Sequence, residues 1–282
     1  MTIVFILTKG GISFVTMLKK TVVLRSNNFS MKTIFSLVVL AFILCVPSFA
    51  QEKRVDSTKT YLTPSDLNVI STMVLNENEQ YYENLTRLKR FLKIELVSKK
   101  EYDAKKKTAV NYITDTDKIK KKKGVITLKC LKKTVKFVDK PYNEEDRCEY
   151  TYVGQINFLN QYIIGGMYWE TLDYKLIDKT SGKTTIALGS YPHVSNDKKH
   201  IICLFANPYE TTADLDLYTI QNGKIKLVVS VSFKNWMNTL EDNKTFWSQD
   251  GYLYCPVNHI NSYWKKDGNI NNRCQYIRIK VL

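Results

Sequence analysis

Glycine and proline are scarce in this chain, 11 and 6 among 282 residues. That scarcity excludes collagen-like and flexible-linker chains, and a hydrophobic content of 44% excludes one too polar to bury a core. Histidine is rarer still, with only His193, His200 and His259. The chain has no Gly-x-Ser-x-Gly elbow, no phosphate-binding P-loop, no His-Glu-x-x-His and no Cys-x-x-Cys. Accordingly no residue is singled out as catalytic, no metal site is expected and no cofactor is implied. Acidic residues are outnumbered 27 to 42 by Lys and Arg, a net charge of +15. Lys, Asn, Ile and Tyr are all abundant, as an AT-rich genome would encode, so part of that excess is compositional.

What the first fifty residues do contain is an address. Met31-Lys32 precedes an apolar run from Ile34 to Val46, followed by Pro47-Ser48-Phe49-Ala50. A short positive region, a short apolar region and small residues at −3 (Ser48) and −1 (Ala50) form the pattern of a secretory signal peptide, cut after Ala50. The run falls short of the roughly 20 apolar residues that a membrane span needs. Leu44 before Cys45 argues against lipidation, which requires a small residue there. Residues 1–30 read as an over-extended start, because Met31 opens a complete signal by itself. The expected location is periplasmic or secreted. Five basic and no acidic residues lie in 1–50, which leaves a net +10 on the mature chain.

Residues 51–123 read as a Lys-rich helical segment. Thr63-Pro64-Ser65-Asp66 is a helix-start signal, and Leu67, Ile70, Val74 and Leu75 follow at helical spacing. A second helix is expected from about Glu79 to Glu95 on the stripe Tyr81, Leu85, Leu88, Leu92 and Leu96. Ser98-Lys99-Lys100-Glu101 is a capping box, which predicts a helix from Lys99 to about Val110. The stretch Leu85 to Lys107 resembles the short helical-hairpin domain called SHOCT, in its Leu88/Phe91/Leu92 stripe and in Val97 to Lys106. It departs at the interhelical turn, where Glu95-Leu96 replaces a Gly. The resemblance implies a packing or self-association element.

From Gly124 onward the period changes to two. Short segments rich in Val, Ile, Tyr and Thr alternate with turn residues, predicting eleven strands from Val125–Cys130 through Thr184–Leu188 to Gln275–Val281. Two strand–turn–strand units echo each other around Gly182 and Gly223. Ser195-Asn196-Asp197-Lys198 is echoed by Ser248-Gln249-Asp250-Gly251, each before an apolar strand. These turns resemble the Ser-Pro-Asp-Gly-Lys turn of TolB-like propeller blades, with Pro replaced in both and Gly in the first. The resemblance implies blade-like repeats. The expected fold class is therefore mainly β: residues 124–282 form an antiparallel propeller-like or meander β domain, preceded by a short α-helical segment. The length from 124 on allows three to four blades, so an incomplete propeller and a meander curling into a sandwich both remain open.

An exported chain permits disulfides. Cys130 with Cys148, and Cys255 with Cys274, can each close a hairpin. Against the second pair, Cys274 points away from the core if Ile277, Ile279 and Val281 face it, whereas Cys255 shares a face with Leu253. Cys203, inside Ile201 to Phe205, reads as a buried thiol. Asp214 and Asp216 project from one strand face and are the candidate carboxylate pair.

The sharpest feature is charge. Residues 86–123 carry 14 basic and five acidic side chains, including Lys105, Lys106 and Lys107 and the run Lys120, Lys121, Lys122 and Lys123. Such runs attract anionic lipid head groups. No nucleic-acid partner is expected, because aromatic rings are not interleaved as a base-stacking platform requires. Aromatic residues crowd the β region instead, among them Tyr162, Tyr168, Trp169, Tyr174, Trp236, Trp247 and Trp264. They serve either core packing or the stacking of sugar faces.

These features favour an exported, non-catalytic binding or interaction module of the bacterial envelope. Its partners would be a protein or glycan and an anionic membrane surface. The alternative is a secreted hydrolase using carboxylates and a His at one end of the β domain. What separates them is whether His193, His200 or His259 meets Asp214, Asp216 or Cys203 in a pocket.

Overall fold

In the computed structural model, residues 59–76, 79–82, 85–142 and 146–282 are described. The signal-peptide and start-site expectations fall on residues outside these. The described residues lie within one compact unit. Its first part contains β1 (Ile70–Leu75), β2 (Glu79–Tyr82), a one-turn helix α1 (Leu85–Leu88), β3 (Leu92–Val97), α2 (Lys99–Lys106), β4 (Ala109–Val110) and β5 (Ile113–Thr114). Then come β6 (Val125–Lys129), β7 (Thr134–Val138), β8 (Cys148–Ile156), β9 (Gln161–Tyr168), β10 (Leu172–Asp178) and β11 (Thr184–Leu188). These are followed by β12 (Pro192–Val194), β13 (His200–Asn207), β14 (Thr212–Gln221), β15 (Lys224–Phe233), β16 (Trp236–Asn238) and β17 (Phe246–Ser248). The last elements are β18 (Leu253–His259), a one-turn helix α3 (Ile260–Tyr263) and β19 (Gln275–Val281).

The fold is mainly β, and every strand pair described is antiparallel. A first sheet runs β5-β8-β9-β10-β11, a second β12-β13-β14-β15-β1-β2, and a third β4-β17-β18-β19-β3, with β16 also on β18. Consecutive strands form the body of each as a meander: β8 to β11, β12 to β15, and β17 to β19. The N-terminal part adds to all three: β5 to β8, β1 to β15, and β4 and β3 to β17 and β19.

Apolar layers join the sheets in the order first, second, third. One apolar layer, with Ile163, Leu176, Ile201 and Cys203, joins the first sheet to the second. Another, with Ile202, Leu204, Leu215, Val231, Leu253, Val257 and Ile279, joins the second to the third. The second sheet is thus buried on both faces, which is why its sequence runs apolar without alternation at Ile201 to Phe205. The two outer faces are covered by different devices. The β6–β7 hairpin lays Ile126 and Leu128 over Tyr162 and Ile164 of the first sheet. Helix α2 sets Tyr102 against Phe246, Tyr254 and Tyr276 of the third.

All eleven strands expected after Gly124 are present, with small shifts at their ends. The N-terminal expectation needs correction, because strands replace two of its three helices. Strand β1 carries a bulge between Ile70 and Thr72, and one extra residue breaks the two-residue period. Ile70, Met73 and Leu75 all reach the core, and their spacing of three then two imitates a helical stripe. In β3, Leu92 and Ile94 are buried while Lys93 is exposed, an alternation masked by the i, i+4 leucines around it. Thr63-Pro64-Ser65-Asp66 closes a turn instead: Thr63 N and Oγ1 both donate to Asp66 Oδ2 at 2.6 Å. The Gln275 amide holds the backbone of Leu62 through both N and O.

The Ser98 half of the capping box forms: Ser98 Oγ accepts from Glu101 N at 3.1 Å, and α2 follows, ending at Lys106 rather than near Val110. Its hold on the third sheet is specific: Tyr102 Oη donates to Lys244 O at 2.5 Å, and Arg278 bridges Glu95 and Glu101 at 3.0 and 2.9 Å.

Candidate functional site

Between β12 and β13, residues 195–198 form a tight turn in which Lys198 N donates to Ser195 O; in residues 248–251, Gly251 N donates likewise to Ser248 O. Asp197 and Asp250 each accept from the backbone N–H two residues on, at 3.0 and 3.3 Å. A third turn of the same shape, residues 157–160, has Asn160 N donating to Asn157 O and Asn160 left-handed. It lacks the Ser and Asp, so it did not stand out in the sequence. Tyr112 joins two of the three: its hydroxyl donates to Asn196 O at 2.8 Å, and its ring meets Phe158 edge-on at 5.7 Å.

Beside β12 lies a cavity of about 350 Å³. Its lining comes from β4 and Asn111, from Tyr191 with β12, and from Asp242, Asn243 and Thr245 leading into β17. The walls are tied together, since Trp247 Nε1 donates to His193 O at 2.9 Å. The rings of Tyr191 and His193 lie 5.0 Å apart, and Tyr174 meets Tyr191 edge-on at 5.8 Å. From the first sheet, Tyr174 Oη donates to Asp242 Oδ2 at 3.4 Å. No Lys or Arg is among the described residues that line this cavity.

Its titratable groups lean toward the neutral form. Burial pushes His193 down to about 3. Tyr191 is pushed up to about 12, by burial and then by the nearby Asp242. Asp242 keeps much of its surface in water, yet desolvation of its carboxyl raises it above the ordinary carboxylate range, with Tyr174 opposing. A neutral imidazole and phenol hydroxyls both donate and accept hydrogen bonds, and the Asp242 carboxyl accepts them.

The residues singled out in the sequence are scattered. His193 stands opposite Ile202, and Cys203 opposite Pro192 and Asp216. His193 and Cys203 therefore project from opposite faces of the second sheet. Asp214 and Asp216 do share a face, but Asp214 accepts from Asn207 and Thr212, and Asp216 from Tyr218. His200 approaches only the turn residue Asp197, at 3.9 Å, and His259 caps α3 by accepting from Asn261 N at 3.1 Å. Among the described residues no group of three His, Cys, Asp or Glu is placed to hold a metal ion.

The two expected disulfides are not formed: Cys130, Cys148, Cys203, Cys255 and Cys274 are all free thiols. Cys255 stands opposite Ile277 in the apolar layer, and Cys274 lies off the end of β19 with its thiol toward Asn271 O, at 3.8 Å. The Cys148 thiol points to Val138 O, also at 3.8 Å. Burial raises the Cys130, Cys203, Cys255 and Cys274 thiols above their ordinary value.

The basic runs do not meet in one patch. Lys105, Lys106 and Lys107 end α2 against the third sheet, whereas Lys120, Lys121, Lys122 and Lys123 lead into the β6–β7 hairpin on the first. Lys105 pairs with Asp250 at 3.0 Å and Lys121 with Asp139 at 2.7 Å. Lys106, Lys107, Lys120, Lys122 and Lys123 are exposed. No described helix is long and apolar enough to cross a membrane.

Asp242, Tyr191 and Asn243 carry no sequence signal. Glu241-Asp242-Asn243 looks like any polar loop, and only the approach of β12 in the second sheet to β4 and β17 in the third makes it a cavity wall. Comparison with known families, with curated proteins and with solved structures finds no match to this chain.

Proposed function

We propose that this protein is an exported, non-catalytic binding module of the cell envelope, which holds a small ligand in the cavity lined by β4, β12 and β17 without transforming it. The observation that carries this reading is the cavity itself. It is a preformed concave site at the meeting point of those strands, in the size range of small-molecule pockets, about 300–1,000 Å³. The leader sequence ending at Ala50 supports export. The exposed lysines at the end of α2 and before β6 support contact with an anionic surface, and the tight turns at residues 195–198 and 248–251 support blade-like repeats of TolB type.

One observation favours the second reading, a secreted hydrolase. The cavity lining includes both a carboxyl with a raised pKa, Asp242, and an imidazole, His193. Saturation-transfer NMR on the purified protein mixed with small-molecule envelope extract separates the two. Molecules that receive saturation and stay chemically unchanged over hours support the binding module. Signals that decay into new product signals at a rate set by protein concentration overturn it in favour of the hydrolase.

A further inference from the structure

Resting on the reading of this cavity as a binding site, we propose that its ligand is an uncharged polyhydroxylated molecule, a mono- or disaccharide unit, held by the Tyr191 ring and the side chains of Asn111, Asp242 and Asn243.

Charge decides the first part. The chain carries 42 Lys and Arg, yet none is among the described residues lining the cavity. A phosphate, sulfate or carboxylate would enter without a counter-charge, at the cost of its own desolvation. A cation would meet one carboxyl, Asp242, already engaged by the Tyr174 hydroxyl at 3.4 Å and disfavoured in its ionised form by desolvation. The lining suits a partner that donates and accepts many neutral hydrogen bonds at once, and a sugar hydroxyl does both.

Shape and surface decide the second. About 350 Å³ is at the small end of ligand pockets, which suits one or two sugar rings. The Tyr191 ring stands beside the His193 ring at 5.0 Å and offers an apolar face with a polar tip, as an amphipathic sugar requires. By contrast, the exposed Trp169 lies beside a more open depression lined by Lys140, Asp146, Arg147 and Glu170. That charged lining makes it the natural control.

The test titrates the purified protein, by calorimetry and tryptophan fluorescence, with two matched panels. One is neutral (glucose, galactose, N-acetylglucosamine, maltose, cellobiose) and the other charged (glucosamine, glucuronate, glucose 6-phosphate). Saturable binding by a neutral sugar is expected, little affected by salt. Asp242→Asn, Asn243→Ala and Tyr191→Ala should each weaken it about tenfold, the loss of one hydrogen bond or contact, while Trp169→Ala leaves it unchanged. Asp242 and Asn243 lie on the surface, and an unchanged unfolding midpoint will show that these variants fold. Binding by the charged panel alone overturns the ligand class and leaves the binding-module reading intact. Sugar binding that survives the cavity variants and fails with Trp169→Ala overturns the site. A sugar that binds and is cleaved keeps the ligand class and overturns the non-catalytic reading. Silence from both panels overturns the proposal.

Discussion

Lys198 and Gly251 occupy the same place in two turns of the same shape, and both have a left-handed backbone, φ +61° and +80°. Lys198 takes a conformation that costs a residue with a Cβ roughly 1–2 kcal/mol. Its ammonium in return lies 5.0 and 5.4 Å from the ring centroids of Tyr112 and Phe158. Gly251 has neither the cost nor the contact, and a Cβ built there meets only Asn196 Oδ1, at 3.9 Å. Gly251→Ala should therefore destabilise the fold by about 1–2 kcal/mol through backbone conformation alone, as a lower midpoint in urea unfolding. A change within a few tenths of a kcal/mol would show that the turn relaxes.

Helix α2 is the seal on the outer face of the third sheet. Tyr102→Ala should cost about 3–5 kcal/mol, the usual range for emptying a buried aromatic site. Tyr102→Phe keeps the ring against Phe246 and Tyr276 and loses only the hydrogen bond to Lys244 O, so about 1 kcal/mol is expected. Chemical denaturation of both variants checks the ratio. Equal losses would mean that the hydroxyl, not the ring, holds the helix.

Acid should act on His193. Its folded pKa, about 3, lies below the ordinary 6.5 because the imidazole is buried. The unfolded chain therefore takes up this proton first, and stability falls as pH drops below 6.5 until the folded pKa is passed. Each unit of such a gap is worth about 1.4 kcal/mol, so unfolding midpoints should decline clearly between neutral pH and about pH 4. His193→Gln should flatten that decline. Asp216 has the opposite sign: burial raises its folded pKa above 3.8, so its penalty appears as pH rises through that value. Asp216→Asn should gain relative stability at neutral pH and lose the gain in acid.

Free thiols are directly countable. A denatured, unreduced sample should titrate all five cysteines of the described region with a thiol reagent. In the native state the buried Cys203 and Cys255 should react slowest, because burial disfavours their thiolates. A count lower by two, with a mass lower by two hydrogens, would restore one of the hairpin disulfides.

Contact with an anionic surface should depend on exposed lysines. Replacing Lys120, Lys122 and Lys123 together by Gln should weaken binding to vesicles containing phosphatidylserine by about 1 kcal/mol per residue. Raising salt should weaken the wild type steeply. Cosedimentation with vesicles reads both. Indifference to salt would remove the membrane partner.

Several features were already legible in the residues alone. The strands after Gly124 announce themselves by alternation, as in Ile277, Ile279 and Val281. The Ser98 cap starts α2, and the paired turns at residues 195–198 and 248–251 repeat along the chain. These are local matters of pleat, cap and turn chemistry, decided within a few residues. What lies before Gly124 reads as helix because a bulge at Ile70–Thr72 gives a strand the spacing of a helix, and because β1 and β3 owe their state to partners, β15 and β19, far along the chain. The same reason hid the cavity. Asn111, Tyr191 and Asp242 come from separate loops with no mutual signal, and they share a wall only once β12 of the second sheet meets β4 and β17 of the third, brought together by burial of the layer between those sheets.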